Sequence, residues 1–184
     1  MKIIILCAGK GRRMLIDYPK SLLKINSKRS VLKNIYLNFI KEGVKNKDII
    51  FATGYKPELI KKEIGRKVNF IHNRKYASTN MVYTLMNTVK KIDDEIIITY
   101  SDIVYDIKNI NKIINSKSQF ITFIDKKWKS LWRTKNKLES DSETLKMSLQ
   151  SLESISAVDV SSTASVCTDE GSLTEVTFIK TSMD

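Results

Sequence analysis

Two prolines, six glycines, two cysteines and one histidine are all that 184 residues contain, and each scarcity closes a class of protein. So little Pro and Gly excludes collagen-like repeats and linker-dominated chains. Cys7 and Cys167 are too few and too far apart for a disulfide framework or a zinc cluster. They suit a reducing, cytoplasmic compartment. His72, with no partner histidine anywhere in the chain, reads as a strand-end residue without a catalytic role. Long apolar runs are missing too. The opening Met1-Lys2-Ile3-Ile4-Ile5-Leu6-Cys7 is too short for a secretion signal, and bulky Leu6 stands where a small residue precedes a cleaved Cys. No other run reaches the length of a membrane span. A soluble, cytoplasmic protein is expected.

What is present is a 42% hydrophobic content, enough for one buried core in a chain of one-domain length. The formal net charge of +12 admits two readings. One is a Lys-rich solvated surface. The other is an anionic partner, either nucleotide phosphates or nucleic acid.

Short apolar runs alternate with helical patterns. Lys2–Ala8 reads as a buried, β-branched strand stopped by Gly9. Further strands are expected at Asp48–Thr53, Val68–His72, Glu95–Ser101 and Gln119–Asp125. Helices are expected from the Ser30 N-cap to about Glu42, from Pro57 to Gly65, over Asn80–Lys91 and over Ile107–Asn115. In the third of these, Val82, Leu85, Met86 and Val89 stand at core spacing. Such alternation implies a mostly parallel sheet with helices on both faces, binding its ligand at the carboxyl ends of the strands.

The composition breaks near Lys137. Residues 1–137 hold 30 Lys/Arg and 11 Asp/Glu, whereas 138–184 hold 2 and 9, and no Asn follows Asn136. Two domains are expected on this ground: a nucleotide-binding core at 1–137 and a distinct tail at 138–184. The tail reads as foreign sequence, as a disordered or loosely packed segment, or as a small β-rich remnant with strand-like runs at Thr144–Leu149 and Thr174–Lys180.

Four stretches carry chemistry. Ala8-Gly9-Lys10-Gly11-Arg12-Arg13-Met14 follows the first strand, and Pro19-Lys20 comes soon after. Glycines there let backbone N–H groups approach phosphates, and Arg13 and Lys20 are cations suited to a triphosphate. The loop is neither a dinucleotide fingerprint, since Met14 replaces the third Gly, nor a Walker A loop. Asp102 closes Tyr100-Ser101-Asp102 at the end of the fourth strand, where a carboxylate either holds Mg²⁺ or caps the next turn or helix. Asp106 reads as a turn or cap. Asn80 either caps its helix or presents an amide to a nucleobase. Trp128 and Trp132, at i and i+4, either pack together or form an aromatic wall for a quaternary ammonium.

The run Leu6-Cys7-Ala8-Gly9-Lys10-Gly11-Arg12-Arg13-Met14, then Pro19-Lys20, resembles the L-x-A-G-x-G-x-R-(M/L)…P-K signature of the nucleotidyltransferases, which include the sugar-1-phosphate enzymes and the choline-phosphate cytidylyltransferases. Asn73-Arg74-Lys75-Tyr76-Ala77-Ser78-Thr79-Asn80 resembles the N-x-x-Y-x-x-(T/N)-N segment of the latter. The resemblance implies a Rossmann-like three-layer α/β sandwich of the nucleotide-diphospho-sugar transferase type, truncated or divergent at its C-terminus. It implies that Ala8, Gly9 and Gly11 wrap phosphates, with Arg13 on the leaving pyrophosphate and Lys20 on the α-phosphate. Thr53, Gly54, Tyr55 and Asn80 would lie near the base, Asp102 would hold Mg²⁺, and Trp128 and Trp132 would face a choline-like acceptor. The family's second metal-binding Asp has no counterpart in the tail, so a weak or inactive catalyst is expected. The reaction expected is transfer of NMP, with CTP favoured, to a small phosphorylated acceptor such as phosphocholine, with no nucleic acid or membrane partner. A sugar-1-phosphate enzyme using UTP, dTTP or CTP is the alternative within the family. A non-catalytic nucleotide- or RNA-binding protein is the alternative outside it, although no RNP-type aromatic motif or zinc knuckle accompanies the charge.

Overall fold

The computed structural model of the chain describes residues 1–11, 16–116 and 121 in full, together with the backbone of four short strands at 120–121, 123–124, 158–159 and 178–181. In chain order the strands are β1 (Lys2–Cys7), β2 (Lys24–Asn26), β3 (Arg29–Ser30), β4 (Ile49–Thr53), β5 (Asn69–His72), β6 (Ile96–Tyr100), β7 (Phe120–Ile121), β8 (Phe123–Ile124), β9 (Val158–Asp159) and β10 (Phe178–Thr181). The helices are α1 (Val31–Lys41), α2 (Pro57–Ile64), α3 (Met81–Val89) and α4 (Ile107–Ile114).

The central sheet runs β5-β4-β1-β6-β10-β7. Its first four strands are parallel, with Ile3–Cys7 against Ile49–Thr53 on one edge of β1 and Lys2–Leu6 against Ile96–Tyr100 on the other. β10 is antiparallel to both its neighbours. The two faces are filled by alternate residues of the same strands. Ile3, Ile5 and Cys7 of β1 pack with Leu32, Ile35 and Phe39 of α1, Ile60 of α2 and Ile110 and Ile113 of α4. Ile4 packs on the other face with Ala52, Ile96 and Ile98, against Leu85 and Val89 of α3. A parallel strand covered on both sides has no solvent face, which is why β1 reads as an unbroken apolar run. The result is the three-layer, mostly parallel sandwich expected. Among the described residues no helix is long and apolar enough to cross a membrane.

Two expectations need correction. The strand expected at Gln119–Asp125 is two strands with different partners: β7 joins β10, and β8 pairs with β9. Of the four apolar positions expected inward in α3, Leu85 and Val89 do pack on the sheet, whereas Val82 and Met86 are 56% and 51% exposed, and the fully buried positions are Thr84 and Thr88. Each threonine returns its hydroxyl hydrogen to a carbonyl one turn earlier, Thr84 to Asn80 and Thr88 to Thr84. That satisfies the hydroxyl without solvent and leaves a small side chain against the sheet. Of the strand-like runs in the tail, Thr174–Lys180 overlaps β10, whereas Thr144–Leu149 lies outside the described residues.

Ser30 starts α1 as the sequence suggests. Its buried hydroxyl accepts from the Lys33 N–H at 3.1 Å and donates to Glu63 of α2 at 2.5 Å, so one side chain caps a helix and ties two helices together. Ser30→Ala removes both bonds and is expected to cost about 1–2 kcal/mol. Urea denaturation measures it, and an unchanged midpoint would show that the cap carries no stability.

Candidate active site

At β1 the strand order reverses, with β4 and β5 to one side and β6 to the other. The carboxyl ends of such strands splay apart and leave a crevice. Here it is a cleft of about 220 Å³. Leu6 to Gly9 and Gly11 form one wall, Lys20 and Ser21 a second, Tyr100 to Asp102 a third, and Tyr76, Thr79 to Met81 and Thr84 the fourth.

Gly11 adopts a left-handed φ of 66°, and a Cβ there would stand 3.1 Å from Lys20 Cβ. Glycine therefore lets the loop turn and lets Lys20 lie alongside it. Lys20 opens a single 3-10 turn, Lys20–Leu22, whose last N–H bonds to Pro19 O at 2.9 Å. Ser21 and Leu22 are buried, so the turn is anchored while the ammonium reaches outward. Lys20 Nζ lies 2.9 Å from Asp102 Oδ2, with both side chains only partly exposed. The two groups come from opposite walls of the cleft. α4 is capped by Asp106, which accepts from the Lys108 N–H at 3.0 Å, so Asp102 is not its cap.

Asn80 caps its helix, as one reading of its position had it. It is the N-cap of α3, with Oδ1 accepting from the Tyr83 N–H at 3.0 Å, and it lines the cleft. The amide Nδ2 is the group it can offer a ligand. Thr53, Gly54 and Tyr55 do not line the cleft. They stand behind it, where the Tyr55 N–H bonds to Ala8 O at 3.0 Å and fixes the loop's first residue. Arg13, Trp128 and Trp132 lie outside the described residues. Burial pushes the Cys7 thiol well above its usual range, and Sγ donates to Ala52 O at 3.4 Å, so it is no nucleophile.

Asn73 is the residue supporting the cleft wall that reasoning on the sequence missed. It is buried, and its Nδ2 bonds Thr79 Oγ1 at 3.0 Å and Thr84 Oγ1 at 2.9 Å, while Oδ1 accepts from the Lys75 N–H at 2.9 Å. One amide thereby shapes the whole segment from β5 to α3. The signal was available: Asn at a strand end, two residues before an N–H it can accept, is an Asx-turn.

Asp102 is the carboxylate in the cleft, and among the described residues no group of three or more His, Cys, Asp or Glu could hold a metal. A lone carboxylate fits Mg²⁺, which retains waters and takes substrate phosphate oxygens as ligands, better than it fits zinc or calcium.

No family model matches the chain. By sequence it is similar to the CTP:phosphoglutamine cytidylyltransferase of Campylobacter jejuni, 34% identical over 160 residues, which are 80% of this chain and 62% of that protein. The chain thus spans less than two thirds of that relative's length. By fold it is similar to a Bacillus anthracis protein described as a glucose-1-phosphate thymidylyltransferase, with a TM-score of 0.67 at 14% identity over 99% of this chain and 71% of the other. The inositol-1-phosphate CTP transferase of T. maritima matches at a TM-score of 0.60 and 14% identity, over 98% and 70%. These relatives and neighbours are nucleotidyltransferases, and the chain shares sequence pattern with the first and fold with the other two.

Gly54 decides how closely the loop sits on the sheet. A Cβ there would meet Tyr76 Cβ at 2.5 Å, Ala8 O at 2.7 Å and Ala8 Cβ at 2.9 Å, so backbone must move. Gly54→Ala is expected to cost about 1–3 kcal/mol and to open the cleft wall at Ala8. Denaturation together with nucleotide titration checks this, and a variant as stable as the parent would show that the contact is not tight.

Proposed function

We propose that this chain, a relative of the nucleotidyltransferases in sequence and in fold, moves an NMP unit from an NTP to a small phosphorylated acceptor and releases pyrophosphate. CTP is the favoured donor, because the C. jejuni relative is a cytidylyltransferase by name. The observation that carries the reading is the pairing of Lys20 with Asp102 across a cleft floored by the glycine loop of β1.

An oxygen of the acceptor phosphate attacks the α-phosphorus of the donor. One P–O bond forms there and the bond to the β-phosphate oxygen breaks. The attacking oxygen is already ionised near neutral pH, so the reaction needs no general base. That agrees with a cleft lined, among the described residues, by neither His nor a reactive Cys. The amides of Ala8 to Gly11 would receive phosphate oxygens. Lys20 would offset the negative charge that builds on the α-phosphate. Asp102 would hold Mg²⁺, which supplies charge neutralisation at phosphate oxygens when bound. In the free protein these two groups serve as each other's counter-ion. Asn80 Nδ2, a donor, suits a ring nitrogen or carbonyl of the base. The acceptor is a small phosphorylated molecule, with phosphocholine the first candidate and phosphoglutamine, the name carried by the relative, the second.

Pyrophosphate release from the four common NTPs, with phosphocholine, phosphoglutamine, glucose 1-phosphate and inositol 1-phosphate, tests the reading. CTP with one of the first two is expected to be fastest. Lys20→Ala and Asp102→Asn are each expected to lower turnover more than about tenfold, while stability changes by no more than about 1 kcal/mol because the pair is partly exposed. Nucleotide binding without pyrophosphate release on any acceptor would favour a non-catalytic binding protein instead.

A further inference from the structure

Tyr55 follows Gly54 at the end of β4 and is almost wholly buried. Three parts of it touch the phosphate loop. Its N–H donates to Ala8 O at 3.0 Å. Its ring lies under Lys10, whose Nζ is 5.5 Å from the centroid. Its hydroxyl donates to Asp17 Oδ1. Ala8 and Lys10 belong to the limb that enters the loop, and Asp17 belongs to the limb that leaves it for Pro19 and Lys20.

The next residue, Lys56, reinforces the outgoing limb. Its Nζ donates to Asp17 Oδ2 at 2.7 Å and to Asp17 O at 2.8 Å, and it lies 5.4 Å from the Tyr55 centroid. Lys56 also has a left-handed backbone, with φ 44° and ψ 56°; among the described residues it is the non-glycine with positive φ. A strained lysine persists only where its surroundings enforce it, and such strain collects at ligand-binding segments. Its side chain is held by the two contacts to Asp17. The hydrogen bond from Lys56, and then that from Tyr55, holds the Asp17 carboxyl below the usual carboxylate range, and Asp17 in turn raises both partners. The side chain of Asp17 is nevertheless 81% exposed, so the fold does not depend on it.

We propose that Asp17 is a positioning residue. With Tyr55 and Lys56 it forms a clip that fastens both limbs of the phosphate loop to the end of β4, so that the loop amides and Lys20 face the donor's phosphates before the nucleotide arrives. The proposal rests on the nucleotidyl-transfer reading above. Pre-placement of this kind governs rate and affinity more than stability.

The test uses the full chain and compares the parent with Asp17→Ala and Asp17→Asn. Amide hydrogen exchange of residues 8–11 and 16–20 is followed without ligand. Mg·CTP affinity is measured by calorimetry, and melting by scanning calorimetry. In Asp17→Ala, exchange in both limbs is expected to rise and the Mg·CTP dissociation constant to increase about tenfold or more, with the melting temperature and the acceptor KM unchanged. Asp17→Asn keeps an acceptor for Tyr55 but loses the charge facing Lys56, and it should fall between. Parent-like exchange and affinity in Asp17→Ala overturn the clip. So does a drop in melting temperature that accounts for the lost affinity. If the parent binds no nucleotide, the transfer reading falls, and the exchange data alone still decide whether the clip exists.

Discussion

Parallel hydrogen bonding of β1 to β4 on one edge and β6 on the other sets the position of every group in the cleft. Five successive residue pairs lock each edge in register, so Cys7 ends level with Thr53 and Leu6 with Tyr100. The segments leaving these three strands then emerge together: Ala8 and the glycine loop, Gly54 and Tyr55, Ser101 and Asp102. A slip of one residue in either ladder would reverse which side chains face α1 and which face α3. The wholly buried Ile3, Ile4 and Ile5 forbid it, since each would lose its packing.

Electrostatics act at two ranges. The chain carries a net +12, which favours the approach of anions from solution. That long-range field is screened within about a Debye length and distinguishes neither nucleotides from nucleic acid nor one nucleotide from another. Within the cleft the arrangement is more specific. There Lys20 and Asp102, a cation and a carboxylate among the described residues, face one another at 2.9 Å.

The wall nearest α3 depends on short polar side chains. Asn73, Thr84 and Thr88 are buried, and each is satisfied by a named partner. A buried polar network with all its bonds made fixes one backbone path, because any other path leaves a group unpaired. The helix that carries these threonines turns apolar residues outward: Val82, Tyr83 and Met86 are exposed. An amphipathic reading of α3 holds only in part for that reason: Leu85 and Val89 pack on the sheet, while Thr84 and Thr88 share the buried face through their hydrogen bonds.

Much of the molecule was legible in the chain itself, where causes are local. Strand β1 shows as an unbroken apolar run, the α1 start as a capping serine, the α2 start as Pro57, and the tight loop after β1 as glycines. The nearness of Lys20 to that loop is likewise a matter of a few residues. Propensity, capping and glycine geometry act over such short spans, so the order of residues alone specifies which elements form and where a loop can turn tightly. Other features join parts far apart in sequence and have no local signature. Asp17 meets Tyr55 and Lys56 across 38 and 39 residues. Lys20 meets Asp102 from another strand end. The close approach of Gly54 to Ala8 and Tyr76, which moves Thr53, Gly54 and Tyr55 from the cleft wall to its support, exists only once β1 and β4 are paired. Which side chains face the cleft and which hold it in place therefore belongs to the fold, because it depends on the register of parallel strands and on contacts between residues that only folding brings together.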